Sequence, residues 1–178
     1  MLFRSLCDVV QSAKEIGLNS VSFLAADLAS EAFNHPQGWT PERQDRVALT
    51  ANEGDSLEAE VERLIDEFRP DLDSGFVVES AEKLRRIVLH FRAHVGQAQH
   101  VAPRCNAPWV SAVIEASGDV RPCFFHPVQG NIHRQALTDI VNSPEALSFR
   151  ANLDVASNEI CKRCVCSLHI PLQDEHNA

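Results

Sequence analysis

The sequence has no run approaching the roughly 18 consecutive apolar residues that cross a bilayer. Its opening, MLFRSLCDVV, is interrupted by Arg4 and Asp8, which breaks the apolar core a signal peptide needs. Basic residues are scarce as well. Sixteen lysines and arginines face 25 aspartates and glutamates, a net charge of −9. That balance argues against a nucleic-acid backbone as the main partner, because phosphate binding needs a basic footprint. An acidic, solubilising surface accounts for it. No internal repeat or low-complexity segment occurs. The expected compartment is the cytoplasm, where thiols stay reduced and clustered cysteines signal metal binding or catalysis rather than disulfides.

What is present divides into two textures. Hydrophobic content of 44% and charged content of 23% are those of a globular chain, and 178 residues suffice for one ordinary domain or for a small domain joined to part of a larger one. Over residues 2–16, Leu2, Leu6, Val9, Val10, Ala13 and Ile16 recur at helical spacing, with Gly17 as the C-terminal cap. NSVSFLAAD, residues 19–27, is nearly all apolar and predicts a strand buried on both faces of a parallel sheet. A long loop follows. A second helix is predicted from Asp55, with Glu58 completing a capping box, a stripe of Leu57, Val61, Leu64, Ile65 and Phe68, and Pro70 as its stop. GFVVES, residues 75–80, predicts a second strand. It leads into a helix carrying Leu84, Ile87, Val88, Phe91 and Val95 and ending at Gly96.

This alternation predicts an α/β region over residues 1–100 with right-handed βαβ connection. Two parallel strands are too few for a stable sheet, so the region is expected to be the closing part of a larger barrel or sheet. A missing N-terminal segment, a companion chain or a second copy would supply the remainder.

After residue 101 the pattern becomes α+β. APWVSAVIEASGDVRPCFFHP predicts a hairpin, with strands at 109–115 and 120–125 turning at SGD. LTDIVNS and PEALSFRANL predict two short helices, the second opening at Pro144.

Cysteine is the residue that points to chemistry. Of six cysteines, Cys7 lies in a helical pattern and is expected to be a buried, inert thiol. The other five are Cys105, Cys123, Cys161, Cys164 and Cys166. Cys161-x-x-Cys164 is the spacing that turns two thiolates, and backbone amides of the same turn, toward one metal centre. Cys105 and Cys123 flank the predicted hairpin, whose folding would bring them together. The CxxC neither follows a strand nor opens a long helix, which disfavours a thioredoxin-like redox pair. Zinc competes, because Cys123, His126, Cys161 and Cys164 would make a Cys₃His site. On that reading the protein is a zinc-stabilised binding module. His126 otherwise stands as a surface residue or as one packed behind a ligand.

The run from Cys105 through Gly118-Asp119-Val120-Arg121-Pro122-Cys123 has twelve residues before the glycine and four after it. It resembles the opening of the SPASM/twitch domains at the C-terminus of radical S-adenosylmethionine enzymes. Gly130-Asn131-Ile132, LTDIVNSPEALSFR and Cys161-x-x-Cys164 follow in the family's order, so the resemblance covers about residues 101–168. It implies one auxiliary 4Fe–4S cluster held by Cys105, Cys123, Cys161 and Cys164, with Cys166 as a substitute ligand or a bystander. A full SPASM domain has a longer cysteine series, so the one-cluster twitch type fits better.

The resemblance also implies that residues 1–100 end a partial (βα)₆ barrel of the radical S-adenosylmethionine type, followed over 101–178 by a small hairpin-plus-helices domain. The family's Cys-x-x-x-Cys-x-x-Cys motif does not occur here. S-adenosylmethionine is therefore not expected to bind to this chain alone, and catalysis in isolation is not expected. Ser22, Asp27 and Glu79, at the predicted strand ends, are weak candidates for a barrel-mouth site. A further reading is that the chain is a partly folded remnant with neither role.

Overall fold

A computed structural model describes residues 2–30, 32 and 38–171. The chain divides into two compact units, Met1–Leu28 with Thr40–His100, and Ala29–Trp39 with Val101–Ala178. Its described residues combine many helices with one small three-stranded antiparallel sheet, a mixture consistent with the α/β class. No helix is long and apolar enough to cross a membrane, among the described residues.

In the first unit a 3₁₀ turn, Leu2–Arg4, leads into α1, Leu6–Glu15. Then come α2, Pro41–Val47, α3, Ala51–Glu67, α4, Arg69–Asp73, and α5, Ala81–His94. The centre is α3. Thr50 Oγ1 accepts from the Glu53 backbone N–H, and Glu53 Oε2 accepts from the Thr50 N–H at 3.0 Å, a complete capping box. The box therefore lies five residues earlier than the predicted start at Asp55. Pro70 does not merely stop this helix, because proline is tolerated in a first turn and Pro70 sits in the first turn of α4.

Leu57, Val61, Leu64 and Ile65 form the buried stripe of α3. It packs between Leu6, Cys7, Val10 and Ala13 of α1 and Leu84, Val88 and Phe91 of α5. Ile16, predicted to continue the α1 stripe, is 72% exposed because the helix has already ended. Val95 likewise lies beyond α5 and is exposed.

The two strands predicted in this unit shrink to one parallel bridge, Val21 with Val77. Val21 N–H donates to the Phe76 carbonyl at 2.7 Å and Val78 N–H to the Val21 carbonyl at 3.0 Å. The parallel direction is the one a βαβ connection requires. The extent differs because burial here is one-sided: Val77 and Glu79 are buried while Val78 and Leu24 are exposed.

In the second unit α6, Ala107–Val110, precedes β1, Val113–Ile114, so the predicted strand at 109–115 is a helical turn followed by two strand residues. Pro108 in the first turn explains that start. β1 pairs with β2, Asp119–Arg121, through Ile114 opposite Val120, and β2 pairs with β3, Gly130–Asn131, through Val120 opposite Gly130. β2 is thus shorter than the predicted strand at 120–125, because the chain turns away after Arg121.

Gly118 makes the β1–β2 turn with φ of +84°, and a Cβ there would meet the His133 ring at 2.5 Å. Gly130 lets β3 approach Ile140, since a Cβ there would lie 2.8 Å from its Cγ2. α7, Leu137–Val141, α8, Pro144–Asn152, and α9, Glu159–Arg163, complete the unit. Pro144 opens α8 as the sequence predicts, and Ser143 caps it.

Candidate metal centre

The hairpin sets out the first thiol pair. Arg121, the last residue of β2, donates from Nε to Glu115 at 2.8 Å and from Nη1 to the His126 carbonyl at 3.0 Å. The loop bearing Cys123 is thereby tied back to the sheet. Backbone groups of Phe125 and His126 hydrogen-bond to the Cys123 sulfur, an arrangement that favours the thiolate. Burial is the larger effect and raises the thiol above its ordinary value.

The second pair is set by α9. Asn158 caps it by accepting from the backbone N–H groups of Ile160 and Cys161, at 3.0 and 3.1 Å. Cys161 lies within this short helix and Cys164 is its C-cap, with the Cys164 N–H donating to the Cys161 carbonyl. The Cys164 thiol points to the Cys166 carbonyl at 2.7 Å.

What closes the site is Asn106, beside Cys105. Its N–H donates to the Leu168 carbonyl at 2.9 Å and its Nδ2 to the Ile170 carbonyl at 2.7 Å, while its Oδ1 accepts from the Ile170 N–H at 3.0 Å. This clasp holds the segment after Cys166 against the segment before the hairpin. Sequence reasoning did not find it, because nothing local marks an asparagine as the partner of a backbone 64 residues away.

All five thiols of this unit are half-buried and free of disulfides. They act on one another. Burial pushes Cys161 up to about 11, helped by the charges of Cys123 and Cys105. Burial pushes Cys164 up to about 12, with Cys166, Cys105 and Cys123 adding to it. Such thiols are poor nucleophiles, since reactivity follows the thiolate. Grouped thiols that cannot all ionise by themselves suit a positively charged metal centre, which relieves their mutual repulsion.

His126 is 3% exposed and therefore not a surface residue. Its Nε2 lies 3.4 Å from Cys161 Sγ and its ring stands edge-on to Phe149 of α8, centroids 4.9 Å apart. Among the described residues no three His, Cys, Asp or Glu side chains converge closely enough to hold a single ion. A four-iron cluster is larger than one ion, and its thiolates stand farther apart. An open groove of about 390 Å³ in the same unit, lined by Trp109, Pro122, Leu137 and Arg150 among others, includes none of the thiols.

The weak candidates at the strand ends have structural partners. Glu79 is 3% exposed and accepts from Ser22 Oγ and the Phe23 N–H, both at 2.8 Å, bracing the Val21–Val77 bridge. Cys7 is buried as predicted, and burial beside Glu60 pushes its thiol up to about 11.

Residues 105–165 match the family model of SPASM, an iron–sulfur cluster-binding domain. Neither a curated protein nor a solved structure matches the chain. The family match implies iron–sulfur cluster binding for this segment, which begins at Cys105, contains Cys123, Cys161 and Cys164, and stops one residue short of Cys166.

Proposed function

Taking the iron–sulfur match as premise, we propose that the second unit holds one auxiliary 4Fe–4S cluster through Cys105, Cys123, Cys161 and Cys164. The observation that carries this reading is the match from Cys105 to residue 165, which contains four of the five mutually interacting thiols. Bound there, a cluster supplies one-electron transfer or structural stabilisation, because four thiolates leave no iron open for substrate. The chain's own contribution is to hold the sulfurs: Arg121 fixes the Cys123 loop, Asn158 fixes the turn of Cys161, and Asn106 draws the two segments together.

In this reading the chain acts as the C-terminal SPASM/twitch part of a radical S-adenosylmethionine oxidoreductase in the cytoplasm. The first unit would be the end of its partial barrel, and a preceding segment or a companion chain would carry the S-adenosylmethionine site. Cys166 is a substitute ligand or a bystander.

The zinc module keeps one observation in its favour, the His126–Cys161 contact. Anaerobically prepared protein decides between the two. Iron–sulfur protein is brown, with broad absorption near roughly 400 nm, whereas a zinc protein is colourless. Cys161→Ala is expected to abolish the iron and sulfide content. Retention of both at wild-type levels would sink the ligand assignment.

A further inference from the structure

Among the described residues only three polar or charged side chains are classed as buried: Glu60, Glu79 and His126. Each carboxylate has several donors. His126 differs. It is held at three points: its ring packs edge-on against Phe149 of α8, its Nε2 faces Cys161 of α9, and its backbone carbonyl accepts from Arg121 Nη1. A buried imidazole is costly to desolvate unless its nitrogens find partners. The partner the fold offers to Nε2 is a sulfur.

We propose that His126 is a positioning residue that donates its Nε2–H to the Cys161 sulfur and so sets the reduction potential of the iron–sulfur centre, without being a ligand. The inference rests on the cluster reading above. The direction of the hydrogen bond follows from the chemistry of the partner. An iron-bound thiolate has only lone pairs to offer, so the proton must sit on the histidine nitrogen. The non-ligand role follows from the donor set, since four cysteines already complete the cluster and no third donor joins His126 and Cys161 around a single ion.

A hydrogen bond to a ligating sulfur draws charge from it and favours the more negative, reduced cluster. It therefore raises the potential. Burial of the ring against Phe149, on a backbone fixed by the Arg121 bond to the His126 carbonyl, keeps the donor aimed at the sulfur. A surface histidine would turn to water instead.

The test uses the full chain, reconstituted anaerobically with iron and sulfide, as wild type, His126→Phe and His126→Gln. Iron and sulfide content and the midpoint of an EPR-monitored redox titration are measured for each. The expected result is a full cluster in all three. The midpoint shifts to more negative potential in the phenylalanine variant and is partly recovered by glutamine, which can still offer an N–H. An unchanged midpoint in a fully loaded phenylalanine variant overturns the inference while leaving the cluster reading intact. Loss of iron from both variants, with wild type fully loaded, makes His126 a ligand and also overturns it. Failure of the wild type to take up iron and sulfide overturns the cluster reading itself, and this inference with it.

Discussion

The two units of this chain are built on opposite terms. In the first, three helices bury Val10, Leu57, Val61, Leu64, Ile65, Leu84 and Val88 in one apolar interior. In the second, Val120 and Ile140 are the only large side chains so completely buried among the described residues, and they are joined by Ala32, Ala107 and Ala146. A unit with so little apolar interior has little hydrophobic stabilisation to set against chain entropy. It has instead five thiols and a buried histidine. Small domains of this kind gain their stability from a bound metal centre, whose binding energy is also folding energy. On the cluster reading proposed above, the thiol site would be as much the core of its unit as a functional site.

The sharpest way to break this comparison is to strip the metal. Removal of iron by chelation after oxidation is expected to lower amide-exchange protection across residues 105–166 by an order of magnitude or more, leaving residues 51–94 as they were. Equal protection with and without iron in the second unit would remove the distinction.

The converse perturbation is Leu64→Ala. Leu64 is fully buried at the centre of α3, and the truncation should cost about 2–5 kcal/mol, read from urea unfolding of the first unit. Iron content is expected to be unaffected, and a parallel loss of iron would show that the units share one core.

The smallest effect concerns Glu60, whose carboxylate accepts from the Cys7 N–H at 3.0 Å and pairs with Arg63 at 2.8 Å. It serves the α1 terminus, where Ser5 makes no side-chain cap. Burial raises this carboxyl, but the hydrogen bonds from Arg63 and Cys7 outweigh burial and hold it below the ordinary range. The stabilisation is therefore present at neutral pH and is lost as pH falls below about 4 and the group takes up a proton. Glu60→Gln should flatten that part of the thermal stability profile between pH 3 and 5, where about one charge is involved. A profile identical to wild type would show that the carboxylate contributes nothing through its charge.

Helices with a strong apolar stripe were legible in the sequence, as α5 and α3 show, and so was the turn at Gly118. Boundaries were less so. Two capping-box patterns lie five residues apart at the start of α3, and the structure uses Thr50 with Glu53 rather than Asp55 with Glu58. α2 buries no residue and so has no stripe to read, though Thr40 and Pro41 mark its start. The parallel strands were over-read because a short apolar run looks the same whether one face is buried or two. Thiol spacing named the chemical class of the site, and the family match agrees with it. The parts that spacing could not supply were the long-range ones: the clasp at Asn106 and the seat of His126 under Phe149.

That clasp has a consequence for how the site assembles. Joining Asn106 to Ile170 closes a loop of 64 residues, which costs about 4 kcal/mol in chain freedom. Its three hydrogen bonds return about 1 kcal/mol each, leaving the latch close to balance. A bound cluster spanning Cys105 and Cys161 would close nearly the same loop, so the cost is met once for both. Each event would then strengthen the other by an equal factor, and the segment Leu168 to Ile170 would report whether the thiols upstream are occupied.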